Sequence, residues 1–411
     1  MNLIALKSPP FRAYLFTVFV SLNGFWAQRV IVSWLAWELT GSATFVGVVA
    51  FVNLCPTFIC GPFFGVIADR VNVRRASMVS YSCVFSLSLL FAFIAYLELM
   101  MPAAVVAFSL GLGIVASANH PLRMSLTPRL APVENMPSVI ALTTMNFNVS
   151  RLLGPVIGGL LIQFFDSATA LILTASAHLP VISALALVQI RNRTKSYTPA
   201  KVGYLRSLAD GFKHALSQPM IRLCILVSGL CAVSGRSVLD TLPILADGVF
   251  GKGPYGLGLM MAAAGVGALG ASLTKLLAAP QRRGEVTIVA KLMAFAVPAL
   301  VVTLGLVADF VTALLITSCI GYSITMVAVS LQSVIQMDLD DNYRGRVMSF
   351  WTMITIGGGA LGAMMMGLVG DAVGIASAQT MIGGVFLALV VLTLLRLAQK
   401  NPKKMTDENQ G

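Results

Sequence analysis

Charge is what this sequence has least of. Only 11% of its 411 residues are Asp, Glu, Lys or Arg, and the 28 basic residues outnumber the 16 acidic ones. A soluble domain gives about a quarter of its residues to charge, so a water-facing globular fold is excluded. Cysteine numbers 6 and histidine 3. Cys55, Cys60, Cys83, Cys224, Cys231 and Cys319 all lie in apolar stretches with no CxxC pair and no loop position. They read as small apolar residues, which excludes a disulfide framework and a metal site. Neither HExxH nor GxSxG occurs, and Ser176, near His178, has no oxyanion motif beside it. No enzyme and no cofactor is therefore indicated.

What fills the space is hydrophobicity: 57% of residues are hydrophobic and the mean hydropathy is +0.87. Apolar stretches of about 20 residues or more recur along the chain, each able to cross the roughly 30 Å hydrocarbon layer as a helix. The pattern predicts an all-α membrane protein with about twelve spans, at 12–38, 43–68, 76–98, 102–123, 138–164, 168–190, 220–246, 255–278, 286–307, 311–335, 347–370 and 374–396. The net charge of +12 does not imply nucleic acid, because Lys and Arg fall almost wholly in alternate loops. One side carries Lys7, Arg12, Arg70, Arg74, Arg75, Arg123, Arg129, the run from Arg191 to Lys213, Arg282, Arg283, Arg344, Arg346 and the tail from Arg396 to Lys404; the other carries Lys252. Such loops face the cytoplasm, so a multi-pass protein of the cytoplasmic (inner) membrane with both termini on the cytoplasmic side is expected. The first span is too long for a signal-peptide core and no small-residue cleavage site precedes Arg29, so no leader is expected to be removed.

One long loop divides the chain near its midpoint. The expected organisation is a six-helix bundle at 1–190, a cytoplasmic linker at 191–218, a second six-helix bundle at 219–398 and a tail at 399–411. Leu205, Leu208, Phe212 and Leu216 recur at helical spacing opposite Arg206, Asp210 and Lys213, which predicts a short amphipathic helix on the membrane surface; a plain solvated linker is the alternative. The halves echo one another. Gly154, Pro155, Gly158 and Gly159 in the fifth span answer Gly358, Gly359, Gly362 and Ala363 in the eleventh, and each group is followed by an aspartate, Asp166 or Asp371, at the outer end. Repeated bundles of this kind hold one site between them near the bilayer midplane.

After the second span comes Gly65-Val-Ile-Ala-Asp69-Arg70-Val-Asn72-Val-Arg74-Arg75. This resembles the loop signature of the major facilitator superfamily. The resemblance implies that Gly65 shapes the turn, that Asp69 holds an inner gate and that Arg70, Arg74 and Arg75 set orientation. Asn72 stands where the pattern usually has glycine; asparagine tolerates a left-handed backbone. The fifth span, with Ala141, Ser150, Arg151, Gly154-Pro155 and Gly158-Gly159, resembles the superfamily's antiporter motif, with Ala and Ser where glycine is usual. Small residues let helices approach closely and proline bends them; the resemblance implies export. Arg151-Leu-Leu-Gly-Pro, Pro121-Leu-Arg123 and Arg344-Gly-Arg346-Val-Met-Ser are similar to the branch containing enterobactin exporters and macrolide-efflux-like proteins. Ser109-Leu-Gly111-Leu-Gly113 lacks the mid-span arginine of many proton-coupled drug exporters, so proton coupling is implied only as the family default.

Arg29, Arg151 and Arg236 each sit in the middle of an apolar span, where an arginine costs about 2.5 to 3.5 kcal/mol on insertion scales. Counting 1.5 Å per residue from the inner ends puts Arg151 at about 20 Å, Arg236 at about 24 Å and Arg29 at about 26 Å. Three mid-depth guanidiniums need water, a buried carboxylate or a visiting anion. Asn23, Trp26, Asn146 and Tyr322 offer polar and aromatic company, and Asp240, one turn after Arg236, can pair with it or trade it to a substrate. Guanidinium geometry suits planar bidentate acceptors such as carboxylates, phosphates and catecholates. The expected function is export of a small anionic or metal-chelating, siderophore-like metabolite by alternating access, with protons as coupling ion and the protein a monomer in the lipid bilayer. The alternatives are efflux of lipophilic drugs through a cavity lined by methionine and phenylalanine, and a nontransporting receptor or assembly factor.

Overall fold

The computed structural model describes residues 4–187, 212–278, 285–339 and 341–400. Among them twelve helices are long and apolar enough to cross a membrane. Spans one to six are Pro9–Thr40, Ala43–Gly61, Val73–Tyr96, Pro102–Arg129, Ser138–Phe164 and Ser167–Leu187. Spans seven to twelve are Pro219–Val249, Gly253–Leu277, Ile288–Leu306, Phe310–Asp338, Phe350–Val373 and Ile375–Arg396. Nearly every residue is helical because a backbone in hydrocarbon must satisfy its own polar groups. Leu205 and Leu208 of the predicted surface helix lie outside the described residues, whereas 212–217 is helical and Phe212 meets Phe350 edge to face at 4.8 Å.

Local signals start and stop the helices as the residue types dictate. Proline occupies the first turn of spans one, four and seven, where its missing N–H costs nothing. Ser42, Asp166, Thr287 and Asp309 cap spans two, six, nine and ten by accepting from the N–H of Phe45, Thr169, Ala290 and Thr312. Hydrogen bonds from the Thr169 hydroxyl and N–H hold the Asp166 carboxyl below the usual carboxylate range, and those from the Thr312 N–H and hydroxyl do the same for Asp309. Asn72 departs from expectation. Its φ is −67°, outside the left-handed region, and its side chain caps span three by accepting from the Arg75 N–H at 3.2 Å. Asparagine replaces glycine here as a helix starter rather than as a turn former.

By internal packing the chain divides into two units, Met1–Lys201 with Leu242–Ala262, and Val202–Thr241 with Ala263–Gly411. The boundary thus runs through spans seven and eight. In the first unit, span five lies against span one so tightly that side chains are excluded. A Cβ on Gly154 would come within 2.4 Å of the Trp26 Cβ, and one on Gly158 within 2.6 Å of the Ala27 carbonyl oxygen. The C-terminal part of span seven joins this unit through Asp247, which accepts from Trp37 Nε1 at 2.8 Å. Gly248 leaves room for the Trp37 ring, and Gly159 faces Gly258 of span eight.

Span one also carries a polar stripe at intervals of two turns, and each member meets the interior of the unit. Ser21 bonds His178 Nδ1 at 2.7 Å, and Gln28 accepts from Ser88 at 3.1 Å. Tyr14 is buried beside Tyr81. At the arginine-rich ends Arg74 donates to the carbonyls of Leu185, at 2.5 Å, and Ala186. Those carbonyls lie in the last described turn of span six. Side-chain contacts of Asp69 and Arg70 lie outside the described residues, as do those of His120, Arg344 and Arg346.

The second unit repeats the glycine contact. On span eleven, a Cβ on Gly362 would come within 2.1 Å of the Val233 carbonyl oxygen of span seven. Its core is apolar, built on Ile221, Val297, Val327, Leu331, Val334 and Trp351. Large side chains at the periphery, such as Phe16 at 66% exposure and Leu276 at 80%, suit a lipid surface. Cys224 and Cys231 are buried as free thiols.

Gly158→Val should destabilise the protein by about 1 to 3 kcal/mol through overpacking, read as an earlier thermal unfolding transition in detergent. Gly384→Ala, where a Cβ meets nothing within 4 Å, should leave the transition unchanged.

Candidate functional site

Arg29 of span one faces a neighbour on its own helix. Its guanidinium carbon stands 5.3 Å from the centre of the Trp26 ring, three residues back and therefore on the adjoining face. Against the negative face of an indole a cation is stabilised by about 2 kcal/mol when desolvated, which offsets part of its burial. The ring is held in turn: Phe25 meets it edge to face at 5.6 Å and Phe147 of span five at 6.0 Å. Behind it Gly154 allows the span-five backbone to come close. Trp26 Nε1 is buried without a hydrogen-bond partner.

Two asparagines tie the same helices. Asn23 donates to the Phe19 carbonyl at 2.8 Å and to Ser150 Oγ at 3.2 Å. Asn146 donates to the Leu15 carbonyl at 2.8 Å. Each amide gives one N–H bond across the helix joint, Asn23 a second within its own helix, and each keeps a buried Oδ1 without a partner. Ser150 precedes Arg151, so the Asn23 contact fixes the turn of span five that carries that arginine, which is half-buried. The first unit thus brings together Asn23, Trp26, Arg29, Asn146, Gly154 and Ser150 at one crossing of spans one and five.

In the second unit Arg236 ends a π-helical segment, Ala232–Arg236, inside span seven; in the part of that span that belongs to the first unit another such segment runs over Ile244–Val249 beyond Pro243. Such wide turns occur often at functional positions. Gly359 of span eleven makes room for this arginine, since a Cβ there would meet Arg236 Cδ at 2.8 Å and its Cγ at 3.1 Å. Asp240 is half-buried on the same helix. Tyr322 of span ten donates to Thr274 Oγ1 of span eight at 3.2 Å, next to Lys275, which donates to Ser330 at 3.4 Å. Within each unit, then, a glycine patch on one span gives way to an arginine-bearing span: five to one, and eleven to seven.

Three residues escaped the sequence reading. Gln28 is fully buried, and the seven-residue rhythm Tyr14, Ser21, Gln28 was the signal for it. Phe147 lies four positions before Arg151, on the helix that faces Trp26. Arg123 is grouped by sequence with the loop charges, yet it is buried in the last turn of the span-four helix Pro102–Leu126.

Residues 2–410 match the profile of a family described as a transmembrane secretion effector. The enterobactin exporter EntS of Escherichia coli is 26% identical over 98% of this chain and 97% of its own length. The staphyloferrin A transporter of Staphylococcus aureus is 23% identical over 96% of this chain and 97% of its own. Among solved structures, a bacterial homologue of the human lysosomal transporter Spinster, inward-facing and unoccupied, superposes with a TM-score of 0.69 at 15% identity, covering 94% of this chain and 95% of that one. The nucleoside transporter NupG superposes with a TM-score of 0.66 at 15% identity, covering 94% and 98%.

Gly359→Ala should push the Arg236 side chain from its seat and slow transport by about tenfold, the scale of a misplacement of about 1 Å or less. Its unfolding temperature should stay near that of the parent protein, because the obstructing atoms belong to a flexible side chain.

Proposed function

Because the chain belongs to the transmembrane secretion effector family of the major facilitator superfamily, we propose that it exports a small anionic or metal-chelating metabolite of the siderophore class. The observation that carries this reading is the guanidinium of Arg29 over Trp26, in the interior of an apolar span. A cation and an aromatic face on one surface suit a planar anion: the guanidinium offers paired donors and the ring a stacking surface. The names of the two relatives, one an enterobactin exporter and the other a staphyloferrin A transporter, favour the same chemistry. Arg151 and Arg236 supply further cations on spans five and seven, and Asn23, Asn146 and Tyr322 the polar lining.

In this proposal the two halves act as rocking bundles that open the site alternately to either side. The cytoplasmic linker at 191–218 joins them, and Gly154, Pro155, Gly158 and Gly159 provide the flexible crossing. Asp69, Arg70, Arg74 and Arg75, with Gly65, serve the inner gate. Both termini face the cytoplasm, the protein works as a monomer, and protons drive the exchange. Asp240, one turn after Arg236, links the two flows by exchanging that arginine with the anionic substrate.

Vesicles containing the purified protein, with a proton gradient across them, should accumulate a catecholate or polycarboxylate siderophore and not a lipophilic cation. Arg29→Gln and Arg236→Gln should each cut the initial rate by about tenfold or more, the scale of a lost charge-assisted bidentate contact. Uniform movement of lipophilic cations, untouched by these changes, would favour drug efflux. Asp240→Asn should leave anion binding in place and abolish its dependence on the proton gradient; a fully coupled Asp240→Asn protein contradicts the linkage.

A further inference from the structure

Arg123 is 6% exposed, and its Nε is buried without a hydrogen-bond partner. What surrounds it is aromatic. Its guanidinium carbon lies 5.1 Å from the centre of the Phe147 ring, and its charge reaches the buried phenols of Tyr14 and Tyr81. The Tyr14 hydroxyl stands beside that of Tyr81. A guanidinium has five N–H donors, and burying one is costly unless its charge is met. Its place in the last turn of the span-four helix recovers part of that cost, because carbonyls converge there, but only a fraction of a unit charge.

The Phe147 ring links this group to the one above it. One side meets Arg123, and the ring stands edge to face with Trp26 at 6.0 Å; Trp26 in turn carries Arg29 at 5.3 Å. The first unit therefore holds the same motif twice, a cation against an aromatic face, with the two rings in contact.

We propose that Arg123, Phe147, Tyr14 and Tyr81 form a second anion subsite, nearer the arginine-rich ends of the spans, where a planar carboxylate or catecholate is taken up before it passes to Trp26 and Arg29. This rests on the reading of the protein as an exporter of anions and adds the entry step to it. The anion supplies paired acceptors for the guanidinium, the phenols donate to its remaining oxygens, and Phe147 offers its face to a flat ligand. As the ligand leaves Arg123 it meets a second cation of the same kind, so the charge is never stripped of partners in mid-membrane.

The probes are 2,3-dihydroxybenzoate and citrate, titrated into purified full-length protein in detergent and followed by tryptophan fluorescence and by ligand-induced thermal shift. Arg123→Gln should weaken binding of both probes by about tenfold, the worth of a charge-assisted pair. Arg123→Lys, which keeps the charge and is the safer substitution for folding, should still bind less tightly than the parent because it loses the planar fork. Phe147→Leu should weaken the aromatic probe more than citrate. The proposal is overturned if all three variants bind both probes as the parent does while Arg29→Gln does not, a result that leaves the anion-exporter reading standing. It is also overturned if Arg123→Gln lowers the unfolding temperature with unchanged probe affinity, which marks a purely structural arginine. Failure of the parent protein to bind either probe removes both readings together.

Discussion

A guanidinium inside an apolar span has to be held by something, and here an aromatic ring is one of the holders. Arg29 lies over Trp26, and Trp26 is wedged between Phe25, Phe147 and the backbone at Gly154. The arrangement sets a requirement on span five: it has to approach span one closely enough to back the indole, which side chains at 154 and 158 would prevent. The antiporter-like glycines therefore do more than let two helices touch. They also set how span five backs the Trp26 ring against which Arg29 lies. Span eleven serves Arg236 in the same manner, with Gly359 left open where the arginine's aliphatic stem lies.

Polar groups elsewhere in the first unit follow a similar economy. Asn23 and Asn146 use their donors to pin span one to span five and keep an acceptor in reserve. Ser21 with His178, and Ser88 with Gln28, join spans one, three and six without any acidic residue. These joints hold the bundle with neutral groups, whose burial costs less than that of charges.

How much of this could be read in the sequence depended on whether the signal was periodic or geometric. Long apolar runs and loop charges are periodic, so the twelve spans were legible, and span five falls at Ser138–Phe164 where the reading put it. The matching glycine groups were legible for the same reason. Arg123 was not, because near a span end a basic residue looks like any other topology signal; only its burial against Phe147 separates it from Arg129. Asn72 was understood as a tolerant turn residue, whereas its cap depends on where the next helix begins. The widened turns of span seven left no trace in composition, since they are a matter of hydrogen-bond register, and the span accordingly reaches Val249, beyond the expected end at 246.

Those widened turns have a consequence of their own. A π segment accommodates one residue more than the same length of α-helix, so it behaves as a dislocation in an otherwise regular lattice. Dislocations can migrate: if the surplus residue passes one turn along, the side chains it crosses swing about the axis by about 100°, the angular step of one residue in an α-helix, while the backbone exchanges one set of internal bonds for another. Span seven holds two of them, at Ala232–Arg236 and Ile244–Val249, with Asp240 on the regular stretch between. A carrier furnished in this way can reorient a charged side chain by sliding a fault along a helix, without breaking the rod that spans the bilayer.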